Sequence, residues 1–479
     1  MSIAKSGFRL LLAQVLSTAL LFIGLAYFAR KLEPAVLGSF FLFRVLNDGV
    51  GLLSDFGIRR SVEKRLSENE RPTQTFATGL VMKLALVLSF AGLILLLRGP
   101  INGYLGAQLA VLLAVSIVFK EMGWYGVHVL RGELRVTETA VVEASRLVVW
   151  VGIGVALVEL GYGIRGVVYG FIAGFVVLGL WAFVRIETAF GRPSRECVDS
   201  ILSFSKYDFV SSTGSYVYNW IDVGIIGLFL AQSAVGVYEY AWQVTLPIAI
   251  VFEVTTKSVF PQVSQWHASE DTEEISRVVS QAASVGLFLS VPALFGAILF
   301  ADSILLVLFG PAYVAGAAVL PILMGEKIVR SVQVVLNTTL RGIDQPRKSA
   351  IATGVTVLVN LGLNVVLVPT YGIRGAAVAT LGSVCLNAVL HWYYLRDHIP
   401  LHFTGRLTAK IAGVSLIMSG VLLLATRVLD VNNIVGLFTV VGGGALIYFL
   451  LSAFVPTLRR NLIQPGVRVI LASTGLRGG

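Results

Sequence analysis

Apolar runs of about twenty residues recur along this chain, divided by short polar stretches in which Lys and Arg collect. A helix of roughly 20 apolar residues crosses the hydrocarbon core of a bilayer. The pattern therefore predicts 14 membrane helices. Six lie at about 10–29, 35–56, 76–97, 105–128, 139–158 and 164–184. Six more lie at about 209–230, 235–256, 280–300, 315–339, 349–368 and 374–395. A final pair is expected at about 408–427 and 433–455. The expected fold class is an all-α polytopic membrane protein with two six-helix lobes, 1–190 and 209–400. A cytoplasmic linker, 191–208, joins the lobes, and 401–479 holds the additional pair and a tail. The connections 185–208 and 257–279 and the tail 457–473 read either as solvated linkers or as short interfacial helices.

Composition agrees. Of 479 residues, 56% are hydrophobic and only 13% are charged, more apolar surface than a soluble domain of this length needs. The net charge of +10 is not gathered into a patch that would meet nucleic acid. With the N-terminus inside, 25 of the 37 Lys and Arg fall in cytoplasmic loops, six outside and six within spans. That asymmetry follows the positive-inside rule and places both termini in the cytoplasm. The two cysteines, Cys197 and Cys385, suggest neither a disulfide nor a metal site.

The chain also repeats itself. Leu130-Arg131-Gly132 recurs as Leu340-Arg341-Gly342, and Tyr162-Gly163-Ile164-Arg165-Gly166 recurs as Tyr371-Gly372-Ile373-Arg374-Gly375, both at offsets near 210. A weaker echo pairs Ala35-Val36-Leu37-Gly38-Ser39-Phe40 with Ala234-Val235-Gly236-Val237-Tyr238 at an offset near 198. Six spans separate the copies, so the halves have like orientation, the parallel-repeat arrangement found in alternating-access carriers.

Charge inside the spans carries the candidate chemistry. A cation at mid-bilayer costs roughly 2.5–3.5 kcal/mol on insertion scales, so it should face protein or a watery cavity. The candidate cavity cations are Arg44, Lys83, Arg146, Lys327 and Arg330, with Arg44 and Arg330 deepest. Arginine suits phosphate because its fork donates two parallel hydrogen bonds. Asp48 lies at i+4 from Arg44, Glu143 three residues before Arg146, and Glu326 at i−4 from Arg330, so some of these charges could cancel locally. Asp222, Asn219, Tyr218 and Asp48 are candidates for sugar or ion contacts. No catalytic constellation, P-loop or cofactor motif is present in the sequence, and no cofactor is expected.

Several short motifs point the same way. They are Phe28-Ala29-Arg30-Lys31-Leu32-Glu33-Pro34, Gly38-Ser39-Phe40, Ser54-Asp55-Phe56-Gly57-Ile58, Gly236-Val237-Tyr238 and Phe260-Pro261-Gln262-Val263-Ser264. Through these and its 12-plus-2 organisation the chain resembles the Wzx-type polysaccharide flippases of the multidrug/oligosaccharidyl-lipid/polysaccharide exporter superfamily. The resemblance implies two lobes in a V around a central cavity. It also implies export of a polyprenyl-linked oligosaccharide from the cytoplasmic to the outer leaflet of the plasma membrane, for cell-surface glycan or glycoprotein synthesis. Glycosyltransferases or a polymerase of the same pathway would be partners. Two alternatives stand beside it: a cation-coupled drug antiporter of the same fold, and a membrane glycan polymerase or ligase.

Overall fold

The computed structural model describes residues 18–401 and 405–464, the side chains at 210, 211, 218, 250, 251, 253–255, 257 and 258 excepted. Among the described residues there is no strand. In chain order the helices are α1 (18–31), α2 (Pro34–Asp55), α3 (Ile58–Ser67), α4 (Pro72–Leu96), α5 (Arg98–Leu105), α6 (Ala110–Gly132), α7 (Val136–Glu159), α8 (Gly163–Arg185), α9 (Arg195–Phe229) and α10 (Gln232–Ala268). They continue with α11 (Thr272–Phe309), α12 (Leu320–Gly342), α13 (Pro346–Leu395), α14 (Gly405–Ala425) and α15 (Ile434–Phe454). A helix stands at each of the 14 expected places, because α13 is two spans run together. Its backbone breaks at Gly372 (φ 61°, ψ −143°), three residues after Pro369, in a conformation open only to glycine.

Nine of the described helices are long and apolar enough to span a membrane, and the chain is a multi-pass membrane protein. Of the two connections left open between linker and helix, 257–279 is mostly helix, since α10 runs on to Ala268 and α11 begins at Thr272. The polar stretch after the second span is also largely helical. Phe56 and Gly57, both left-handed, end α2, and the four cations Arg59, Arg60, Lys64 and Arg65 ride on α3. The end of the expected tail helix, beyond 464, lies outside the described residues.

The chain divides between Gly236 and Val237 into two compact units. The division falls after α9, the helix expected at the head of the second lobe. In the first unit α9 lies on α2 and α3: Tyr216 donates to the Val45 carbonyl (2.9 Å), Ser61 to the Ile201 carbonyl (2.9 Å), and Arg60 pairs with Asp208 at 2.7 Å. Within the second unit, α11, α14 and α15 pack around Phe288, Ile411 and Tyr448, and the Tyr448 hydroxyl donates to the Phe288 carbonyl at 2.8 Å.

Each copy of the repeated motifs takes the same local form. After Leu130-Arg131-Gly132 the chain turns through left-handed Leu134, and Arg135 N–H donates to the Leu130 carbonyl (3.0 Å). After Leu340-Arg341-Gly342 it turns through left-handed Asp344, and Gln345 N–H donates to the Leu340 carbonyl (3.1 Å). Gly163 and Gly372, equivalent in the second motif, both have positive φ.

Helices α7 and α8 approach backbone to backbone. A methyl group at Gly170 would stand 2.6 Å from both the Trp150 carbonyl oxygen and the Gly154 nitrogen, so the helices would have to separate. Gly170→Ala should lower unfolding stability in detergent by about 1–3 kcal/mol, the usual cost of overpacking. Gly152→Ala on the same hairpin, with open space around it, should cost nothing. Equal melting temperatures for the two variants would show that the hairpin is not this tight.

Candidate functional site

The first unit holds a charged cluster built on one stripe of α2. Arg44, Asp48, Gly51 and Asp55 lie at intervals of four, three and four residues, so helical periodicity sets them on one face. Gly51 makes the room. A methyl there would lie 2.5 Å from the Glu121 carboxylate and 2.8 Å from the Lys120 ammonium. Helix α6 brings Lys120 and Glu121 to this stripe, and α4 brings Lys83.

The cluster pairs in alternation. Lys83 Nζ is 2.6 Å from Asp55 and 2.6 Å from Glu121, and it is wholly buried. Arg59 closes on the same two acids, at 3.0 Å to Asp55 and 3.7 Å to Glu121. Lys120 lies 2.6 Å from Asp48 and also donates to the Asn47 carbonyl at 2.9 Å. Three carboxylates, Asp48, Asp55 and Glu121, thus meet three cations, Arg59, Lys83 and Lys120.

Arg44 and Arg146 are left over. Asp48, one turn from Arg44, is engaged by Lys120. Glu143, which stands close enough in sequence to pair with Arg146, instead pairs with Arg131 at 2.7 Å. Among the described residues neither arginine has a carboxylate within 4.0 Å, and the Nε of each is buried with no hydrogen-bond acceptor. Both lean on aromatic faces. The Arg44 guanidinium is 5.0 Å from the Trp220 ring centre, and that of Arg146 is 4.9 Å from Phe175. Phe40 packs on Trp150 at 5.8 Å, and the next turn of each helix carries Arg44 and Arg146 within electrostatic reach of each other. Two like charges brought together, with no carboxylate of the described residues in contact with either, are each stabilised by whatever further negative group enters.

The second unit is balanced differently. Lys327, expected to face a cavity, is buried and held 2.6 Å from Glu326, with its ammonium 3.7 Å above the Trp242 ring. Arg330 reaches the same carboxylate at 3.9 Å and keeps a quarter of its side chain exposed. Nearby, α10, α11, α12, α14 and α15 enclose an apolar recess of about 340 Å³, lined by Val244, Ile248, Ala293, Met324, Met418 and Phe449 among others.

The remaining candidates divide. Asp222 on α9 is buried, whereas Asn219 is exposed and donates to the Ser215 carbonyl at 2.9 Å. The side chain of Tyr218 lies outside the described residues. Lys83, like Lys327, is enclosed by its carboxylates and presents no ammonium to a cavity. Sequence reasoning missed Asp55 and Arg59 as cluster members, although the periodic stripe on α2 contains the first. It also missed Phe175 and Trp242, for which no local signal exists. Among the described residues no group of three or more His, Cys, Asp or Glu is placed to hold a metal ion.

Comparison with known proteins gives the family. Residues 27–318 match the family model described as "Polysaccharide biosynthesis protein". A relative from Haloferax volcanii, "Probable low-salt glycan biosynthesis flippase Agl15", is 38% identical over 470 residues, covering 98% of this chain and all of the relative. A second from the same organism, "Probable flippase AglR", is 29% identical over 76% of this chain and 80% of its own length. Among solved structures, the inward closed conformation of the lipid II flippase MurJ superposes with a TM-score of 0.79 at 17% identity, over 95% of this chain and all of that one. An inward-facing multidrug MATE transporter superposes with a TM-score of 0.64 at 17% identity, over 82% of this chain and 95% of that one. With flippases among its sequence relatives and a fold like those of MurJ and the MATE transporter, the chain belongs to the polysaccharide biosynthesis protein family.

Proposed function

We propose that this protein carries a lipid-linked glycan from the cytoplasmic to the outer leaflet of the plasma membrane by alternating access, with Arg44 and Arg146 receiving the acidic head group. The observation that carries the assignment is the charge surplus on α2 and α7: every acid of the cluster is held by a lysine or arginine, and two guanidiniums remain. Phosphate cannot enter a low-dielectric interior unpaired, and the arginine fork matches its oxygens. In the second unit, taken by itself, Arg330 is partly exposed and is a further candidate for holding an acidic group. Asp222 and Asn219 are placed on α9, the helix that carries Trp220, where sugar hydroxyls would meet them. The apolar recess of the second unit suits a lipid chain, since its lining offers little for water to hold.

A cation-coupled drug antiporter would need negative charge in excess where this cluster has positive charge in excess. The test is reconstitution in vesicles with a fluorescent lipid-linked oligosaccharide, scored by accessibility of the label to an external quencher. Protein-dependent flipping of that lipid, with no efflux of cationic dyes, is the expected outcome. Dye efflux driven by a proton or sodium gradient, without lipid flipping, would favour the antiporter.

A further inference from the structure

The weak sequence echo that pairs Gly38 with Gly236 has a physical counterpart. Each glycine is the fifth residue of its helix, α2 beginning at Pro34 and α10 at Gln232. In the first unit these two helix beginnings cross at the glycines. A methyl at Gly38 would overlap the Gln232 carbonyl oxygen and lie 3.1 Å from the Gly236 nitrogen. A methyl at Gly236 would overlap the Pro34 carbonyl oxygen and lie 3.2 Å from the Gly38 nitrogen. The contact is reciprocal, each glycine seated on the first residue of the other helix, as a local two-fold relation between repeat copies requires.

The contact at the glycines themselves is weak. Backbone meets backbone, so the glycine Cα–H groups face carbonyl oxygens, and such contacts contribute little individually. The polar bond beside it, from Gln232 Nε2 to the Tyr104 carbonyl, is stretched to 3.5 Å. Main chain resting on main chain can part and re-form at the cost of the packing of Leu37 and Val235, buried beside the glycines. It is also intolerant of a side chain, because the obstacle on each side is main chain.

We propose that the Gly38–Gly236 crossing is a latch that closes and opens once in each transport cycle, and that both positions must lack a side chain for it to close. The inference rests on the transport reading for its place in the cycle, but its geometry can be tested without cargo. Spin labels at Ala35→Cys and Ser233→Cys, both exposed and three residues before the glycines, would report the separation of the helix beginnings. Cys197 and Cys385 would first be replaced by serine, and the protein placed in lipid nanodiscs. The parent should show a short-distance population. Gly38→Ala and Gly236→Ala should each shift the balance toward longer distances by about tenfold, an overpacking cost expressed as a population. Because both remove one shared contact, the double variant should shift little further. Gly92→Ala, with open space at its Cβ, should match the parent.

Distance distributions in both single variants equal to the parent's would overturn the latch. A second arm leaves both glycines in place: a short bifunctional thiol reagent joining positions 35 and 233 should halt flipping. Full flipping by the cross-linked protein would show that the crossing need not open, and would equally overturn it. A distance shift in a protein that flips no lipid-linked glycan would support the latch and refute the cargo.

Discussion

Lys83→Met should unfold this protein at markedly lower temperature and lower its abundance in the membrane. The ammonium it removes is wholly buried between Asp55 and Glu121. Methionine matches the volume but leaves three carboxylates facing two cations. Breaking a buried pair by deleting one partner costs about 3–5 kcal/mol, because the surviving charge stays out of water with nothing to compensate it. The direction can be checked against its remedy. Lys83→Met with Glu121→Gln leaves Asp55 with Arg59 and Asp48 with Lys120, a balanced set, and should recover most of the loss. Thermal unfolding in detergent with a fluorescent thiol or tryptophan readout measures both. A single variant as stable as the parent would mean that water or a mobile cation reaches this cluster and that the pairing is not what holds α2, α4 and α6 together.

The second large effect falls on transport and spares stability. Arg44→Ala and Arg146→Ala delete guanidiniums that hold no carboxylate of the described residues, so neither should strand a buried charge. Relieving their mutual repulsion should leave melting temperature level or slightly raised. Flipping should fall. A hydrogen bond to a charged group contributes about 1.5–3 kcal/mol, so each single change should slow flipping by about tenfold to a hundredfold when lipid is limiting. The double variant should be slower than either alone. Arg44→Lys should restore only part of the rate, since an ammonium lacks the planar fork and stacks less well over Trp220. Initial rates in vesicles at matched protein content decide the matter. Parental rates in the double variant would remove the arginine pair from the head-group site. The two experiments separate cleanly: Lys83 moves stability first, and the arginines move rate alone.

The contrast between those predictions shows where sequence reasoning reached and where it stopped. Membrane crossing, the placing of the helices and the internal repeat are written in local periodicity. A twenty-residue apolar run has few other ways to satisfy its backbone in lipid, and a repeated motif repeats its turn wherever the chain carries it. The stripe of Arg44, Asp48 and Asp55 on α2 was equally available, because 3.6 residues per turn sets it. Expectations built on neighbours in sequence were less secure. Glu143 beside Arg146 and Asp48 beside Arg44 looked like ready-made pairs, yet Glu143 holds Arg131 and Asp48 holds Lys120, 72 residues away.

Which cation is spent on structure and which is left for a ligand therefore belonged to the tertiary structure. Lys83 meets partners 28 and 38 residues distant, and Trp220 comes to Arg44 only because α9 packs on α2. Composition and spacing determined that this chain would bury positive charge in a membrane. Only the packing of helices far apart in sequence decided which charges cancel, since Coulomb pairing at 2.6 Å depends on where a neighbouring helix sets its side chain and not on what stands one turn away.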